Sequence, residues 1–333
     1  MTPDPSIDGV LIQWGERLFY PRNRIVRAQT PRLHLPDQRA AAIRSRIEAT
    51  VLRAPQVMVK VTGGGRGMTA IAAHLRYITK NGRLDIEDDR GVVEHGKDTL
   101  RDIERQWRLG GPYIGDEGHR REAFNIMLSM PRGTDPLVVQ RAAREFAKIE
   151  FADHRYVMVL HDHQAHPHVH LSVKAESKRG HRLNPRKADL HRWRETFAQR
   201  LREWCVDAEA TRQATRGEYR NRDALWRIKA REAGRLQTSR STAKSGASTR
   251  LSREEALDAW KRIAMVLANS DARDDRVLAR QIVEFVKDRS MLERAVGAAR
   301  HAQRAGKEHG RQQLPPQRSG AIEPTRSEPK LER

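Results

Sequence analysis

The sequence predicts an α+β domain, a central antiparallel sheet with helices on one face, followed by a basic extension that is largely helical or disordered. Three observations carry this expectation. Short β-branched or apolar runs alternate with amphipathic helical patterns between residues 56 and 204. Two of those runs, Tyr156–Leu160 and His168–Val173, flank a polar stretch with a proline, and hairpin strands of this kind must be antiparallel. Hydrophobic residues are 38% of the 333 and aromatics 5%, too few to bury the whole length in one core.

The elements follow in order. Residues 1–55 mix Pro, Arg and short apolar pieces and read as an N-terminal extension, with a helix around 38–52. Gln56-Val-Met-Val-Lys-Val-Thr62 is a strand by its β-branched content. It runs into Gly63-Gly-Gly-Arg-Gly67 and a helix from Met68 to about Lys80, stopped by Asn81-Gly82. Phe124–Met130 is the next strand. Pro136 suits the first turn of a helix reaching Phe151, with Thr134 or Asp135 as its cap. The hairpin follows, then Leu190, Trp193, Phe197, Leu201 and Trp204 recur at three- and four-residue steps, an amphipathic helix. The compact domain spans 56–220. Beyond it the pattern gives a basic linker over 221–250, a helical accessory region over 251–305 and a disordered tail over 306–333.

The chain carries 64 Lys+Arg against 43 Asp+Glu, a net charge of +21. Such an excess points to a polyanionic partner, most often nucleic acid. No segment approaches the ~20 apolar residues of a membrane span, so no membrane insertion is expected. A single cysteine, Cys205, excludes an internal disulfide and a thiolate metal cluster, in keeping with a cytoplasmic protein.

His161-Asp-His-Gln-Ala-His-Pro-His-Val-His170 places five of the 14 histidines in ten residues. His168 and His170 share one face of their strand, and a hairpin returns His161 beside them. Three imidazoles meeting at one point suit a divalent metal, and three ligands leave positions open, as a catalytic metal requires. His163 and His166 fall in the turn, near the ligands or facing substrate. His74, His154, His181 and His191 read as surface or structural groups.

Tyr77 lies in Ala72-Ala-His-Leu-Arg-Tyr-Ile-Thr-Lys80, with Arg76 and Lys80 flanking it. Ile71, Leu75 and Ile78 share one helix face and Tyr77 is rotated about 100° from Ile78. The helix alone leaves open whether Tyr77 is a core tyrosine or a nucleophile. The glycine loop lacks the Lys-Ser/Thr ending of a nucleotide-binding loop and is better suited to close approach of a nucleic-acid backbone, with Arg66 beside it. Lys174, Lys178, Arg179, Arg182, Arg186, Lys187, Arg192 and Arg194 form a basic set after the hairpin that would grip phosphates. Trp193 reads as helix core in preference to a base-stacking group.

Val61-Thr-Gly-Gly-Gly-Arg-Gly67, Leu75-Arg-Tyr-Ile-Thr-Lys-Asn-Gly-Arg-Leu84, Leu128-Ser-Met-Pro-Arg-Gly-Thr-Asp135 and His161…His168-Val-His170 come in the order seen in the MobA/VirD relaxases, the mobilization nucleases of conjugative plasmids and transferred DNA. The resemblance covers roughly residues 56–220. It implies an HUH-type fold with the histidines at the centre of an antiparallel sheet. It implies Tyr77 as the nicking nucleophile, His161, His168 and His170 as ligands of Mg²⁺ or Mn²⁺, and a base or supporting role at Asp162 or His163. The family places an aspartate two residues after its first histidine, where this chain has His163 with Asp162 as its neighbour. The implied activity is cleavage of one DNA strand at an origin of transfer through a phosphotyrosine link, followed by rejoining. The implied partners are single-stranded and supercoiled origin DNA, relaxosome accessory proteins and a type IV secretion coupling protein, with export to a recipient cell while attached to DNA. The 254–333 region is expected to be dispensable for nicking. A metal-dependent phosphoester hydrolase and a non-catalytic DNA-binding accessory protein are the competing readings.

Overall fold

A computed structural model describes residues 6–20, 36–217, 230, 232–235 and 247–287. The elements are α1 (Ile7–Phe19), α2 (Pro36–Val51), β1 (Met58–Gly63), α3 (Met68–Ile78), β2 (Ile86–Asp88), β3 (Val93–Glu94), α4 (Lys97–Leu109), β4 (Ala123–Ser129), α5 (Pro136–Glu150), β5 (His154–His161), β6 (His168–Ser177), α6 (Lys187–Glu203), α7 (Ala247–Ala268) and α8 (Arg273–Lys287). The predicted tail over 306–333 and most of the predicted linker lie outside the described residues.

The strands form one sheet in the order β1-β4-β6-β5-β2-β3, every pairing antiparallel. The hairpin occupies its centre because β5 and β6 are joined by only a six-residue turn, 162–167, and each finds a further partner outside. The antiparallel α+β architecture is the expected one, but its helices cover both faces and not one. Tyr156 and Met158 of β5 pack with Phe146, Trp193 and Phe197 of α5 and α6. Val157 and Val159, pointing the other way, pack with Ile71 and Leu75 of α3 and Ile103 and Trp107 of α4. Alternation along a strand sends successive side chains to opposite faces, so a continuous apolar run such as 156–159 needs cover on both. Trp193 is fully buried against Phe146 and Phe151, the core role expected of it.

Local chemistry fixes the ends of several elements. The Asp135 carboxylate accepts from the Leu137 amide at 2.8 Å, capping α5 with Pro136 in its first turn. α3 stops where Lys80, Asn81 and Gly82 adopt positive φ of 51°, 60° and 80°.

The N-terminal helices do not stand apart. α1 packs against α2 and α7, and α8 against α7 and α2. Phe19 meets the buried Trp260 edge-on at 6.4 Å. This helical cluster is tied to the sheet domain by Arg46 of α2, which donates to Glu195 at 2.9 Å and Glu209 at 3.2 Å. Trp260 Nε1 adds a bond to the Thr215 carbonyl at 2.9 Å.

Candidate metal centre and nucleophile

The register of the hairpin sets His161 opposite His168 and Val159 opposite His170. Directly opposed residues share a face, and so do residues two apart, so all three imidazoles project from the face that α3 covers. Their ring centroids lie 4.6 Å (161–170) and 5.0 Å (161–168 and 168–170) apart. One ligand nitrogen from each lies within 4.8 Å of the others.

Two of the rings are oriented by backbone carbonyls. His161 Nε2 bonds Ile78 O at 2.6 Å and His168 Nδ1 bonds His166 O at 2.9 Å. A ring N–H donating to a carbonyl fixes the tautomer and leaves the other nitrogen as a lone-pair donor, the usual support of a metal-bound histidine. His170 Nδ1 is buried with no hydrogen-bond partner among the described residues. Burial holds His161 below the ordinary histidine range, and burial with the neighbouring His161, His168 and His74 pushes His170 down to about 3. Neutral, crowded imidazoles with an orphaned nitrogen fit a divalent cation, which takes histidine only in its neutral form. No carboxylate is part of this cluster, so the trio would leave the charge of an ion undiminished toward an anionic substrate.

Tyr77 ends α3 beside this trio. Met68, Ile71, Ala72, Leu75 and Ile78 bury one side of the helix, and Tyr77, rotated off it, is 72% exposed, which excludes the core reading. Its ring centroid is 6.5 Å from that of His170. The helix end explains the link between the two. In a continuing helix Gly82 N would reach Ile78 O, but here it goes to Thr79 Oγ1 at 3.0 Å, leaving Ile78 O to His161. A side chain at Gly82 would meet the Gly96 backbone at 2.6 Å.

The other expected residues divide by position. Lys80 is exposed and close enough to His161 to disfavour its charged form. His163 stacks its ring 5.1 Å from that of His161, while Asp162 is exposed in the turn. Arg76 is exposed and donates to Glu104 at 3.2 Å. Arg66 lies at the far end of α3. The glycine loop there serves the protein's own backbone: a Cβ at Gly64 would fall 2.2 Å from Ala123 O and one at Gly67 2.3 Å from Asp116 O. Gly115 O and Asp116 O also take the first amides of α3, from Met68 and Thr69.

The basic set after the hairpin is not brought to the histidines, because β6 carries it to the opposite end of the sheet. Lys174 is buried and donates to Trp107 O and Gly110 O at 3.2 and 3.4 Å, closing the C-terminus of α4. Lys178 pairs with Asp89, Arg179 with Asp153, Arg182 with Glu122 and Glu176, and Arg192 with Glu150 and Asp189. Arg186 and Lys187 begin α6 on the other face.

Two residues at the site escaped the sequence reading. His74, taken as surface or structural, has its ring 6.4 Å from both Tyr77 and His170 and its Nε2 buried without a partner among the described residues. Its place one helical turn before Tyr77 was the available signal. Lys60 of β1 is exposed in the same cross-strand row as His170, through Met127 of β4, roughly 10 Å away at ~4.8 Å per strand.

Comparison with known proteins bears on this geometry. Residues 77–205 match the family described as relaxase, MobA/VirD2-like, nuclease domain. The chain is 26% identical over 141 residues to the T-DNA border endonuclease VirD2 of Agrobacterium fabrum (strain C58 / ATCC 33970), a match covering 38% of this chain and 32% of that protein. The proteins of the same name from Rhizobium radiobacter and Rhizobium rhizogenes are 25% and 26% identical, with 33% and 32% of their lengths covered. The chain thus spans about a third of the length of the curated relatives it matches. Tyr77, the hairpin and the three clustered histidines all fall inside the segment that matches this family.

Proposed function

We propose that the protein is a relaxase that nicks one strand of DNA at an origin of transfer and later rejoins it, in conjugative transfer or mobilization. The observation that supports this most directly is an exposed tyrosine whose ring stands 6.5 Å from that of His170, in a three-histidine cluster of which His161 and His168 are buried. The Tyr77 phenolic oxygen attacks the scissile phosphorus. A P–O bond forms to tyrosine, the bond to the deoxyribose oxygen opposite breaks, the phenolic proton passes to the base, and the leaving oxygen takes a proton from water and departs as a hydroxyl. The ester keeps the bond energy, so the reverse attack reseals the strand. His161, His168 and His170 would hold Mg²⁺ or Mn²⁺, and the ion would supply positive charge to offset that on the non-bridging phosphate oxygens. Ile78 O and His166 O hold two of these rings in orientation. His163 and Asp162 supply the supporting or base role from the turn, and Lys80, Arg76, Arg66 and Lys60 contact phosphates.

In this reading the nuclease domain occupies 56–220, and the protein acts in the bacterial cytoplasm with relaxosome proteins and a type IV secretion coupling protein, passing to the recipient while attached to DNA. Among the described residues no helix is long and apolar enough to cross a membrane. Tyr77→Phe tests the mechanism on origin DNA with Mg²⁺ or Mn²⁺. Both strand cleavage and the covalent protein–DNA adduct are expected to vanish. Cleavage that persists without an adduct would assign the chemistry to a metal-bound hydroxide and overturn the reading.

A further inference from the structure

At the end of the sheet away from the histidines, Gly110, Gly111, Pro112, Arg155, Lys174, Glu176, Ser177, Lys178 and Gly180 line a cavity of about 470 Å³. It opens on the same sheet face, since Lys174 follows His170 by four residues of β6, roughly 13 Å along the strand. Two cations head into one small loop. An ideal Cβ on Gly110 would stand 2.8 Å from an Arg155 guanidinium nitrogen, and one on Gly111 3.2 Å from Lys174 Nζ. Gly110 takes no side chain because its Cβ would fall 2.5 Å from Gln106 O, and Gly111 has a positive φ of 134°.

This arrangement is unfavourable as it stands. Arg155 sits where the β5–β6 register shifts between His154 and Tyr156, and its charge acts unfavourably on Lys174. Burial and Arg155 both lower the affinity of Lys174 for its proton. Nearby acids are engaged elsewhere: Glu176 pairs with Arg182 at 3.1 Å and Asp89 with Lys178 at 2.8 Å. Among the described residues neither Arg155 nor Lys174 has a carboxylate within salt-bridge distance. Lys174 gives two of its three ammonium donors to the Trp107 and Gly110 carbonyls, and one remains. The guanidinium adds a planar fork suited to two oxygens of one anion.

We propose that Arg155 and Lys174 form a phosphate-binding site in this cavity. A phosphate there relieves the cation–cation repulsion and takes up the spare donors. The phosphate comes either free in solution or from a DNA strand. Only the second source rests on the nicking reading, and in that case the site holds the strand at a point distinct from the scissile phosphate.

The test uses the full chain, orthophosphate as one probe and a series of single-stranded oligonucleotides as the other. Orthophosphate is expected to raise the Tm of the wild type saturably and to leave Arg155→Ala unmoved, with Arg155→Lys restoring part of the rise. If DNA supplies the phosphate, Arg155→Ala also lowers the slope of log affinity against log salt by about 0.7 for the long oligonucleotides. Loss of the orthophosphate response with an unchanged slope assigns the site to free phosphate. An unsaturable response in the wild type, or a response equal in Arg155→Ala, overturns the site. Tm without phosphate reports whether the variants fold. Adduct formation by the same wild-type preparation reports separately on the nicking reading.

Discussion

His170→Ala separates a metal site from a histidine-rich core. His170 is the hub of the cluster, its ring 4.6 Å from His161, 5.0 Å from His168 and 6.4 Å from His74. In the metal-free protein it is a liability, because a buried polar nitrogen without a partner costs about 1–3 kcal/mol. Truncation removes that cost while losing the packing of one partly buried ring, so the metal-free variant is expected within about 1 kcal/mol of wild type. The metal-bound comparison differs. An ion at about a hundred times its dissociation constant stabilises by about 2.7 kcal/mol, or roughly 4–5 °C at this size. The assay is thermal unfolding in chelator and across a Mn²⁺ titration, with strand cleavage measured in parallel. His170→Ala is expected to match wild type in chelator, to show no Mn²⁺-dependent rise and not to cleave. A variant that melts far below wild type in chelator yet keeps the Mn²⁺ rise would refute the reasoning, because His170 would then be a packing residue and not a ligand.

Other perturbations test the supporting structure. Trp260→Ala empties a buried site against Phe19 and removes the bond to Thr215 O, costing about 3–5 kcal/mol; Tm should fall while adduct formation per folded molecule holds. Gly67→Ala drives a Cβ to 2.3 Å from Asp116 O, backbone that cannot swing aside, and should lower the denaturation midpoint by the equivalent of about 1–3 kcal/mol. His191, buried on α6, is pushed down to about 4 by burial and by Arg46, Arg212 and Arg194. Between pH 6.5 and 4 the unfolded chain therefore binds a proton there that the folded one does not, and stability falls as pH falls through that window. Denaturant titrations across it should show wild type losing up to about 3 kcal/mol relative to His191→Gln, and parallel pH profiles would contradict this. Glu195, raised by burial, works in the opposite sense but is common to both proteins.

The hairpin and its three histidines were legible because a strand has period 2 and a short polar turn leaves one pairing. The stop at Asn81-Gly82 and the cap at Asp135 were legible as local chemistry, requiring no knowledge of distant residues. What was missed depends on partners far away in sequence. β2 and β3 hold three and two residues, too few to show any period, and exist only because β5 offers an edge. On the second sheet face α3 was legible as a helix but its placement was not, and α4 was missed, although the unbroken apolar run 156–159 hinted at cover there. The basic set after the hairpin misled because sequence proximity to His170 is not spatial proximity: a strand carries its residues away at ~3.3 Å each. A similar blindness hid the match of α1 and α2 to α7 and α8. With Phe19 set against Trp260, the 254–333 region includes part of the core that covers the N-terminal helices, and removing it should cost stability even where it leaves the chemistry alone.

Tyr77 and the three histidines come from different parts of the sheet domain, and one hydrogen bond joins the end of α3 to the cluster. Ile78 O, freed where α3 ends, orients His161, and the residue before it is Tyr77. A ring held through Nε2 keeps Nδ1 for a metal, so the position of the helix end and the ligand geometry are set together. The tyrosine itself is left exposed, 72% of its surface open, which in the proposed reaction would let a strand reach it and leave room for the covalently held end. Rigidity is placed in the cluster, where His161 and His168 are buried and carbonyl-bound, and access in Tyr77. A reversible strand transfer requires that division, since the phosphate must return to the same geometry for the broken strand to be resealed.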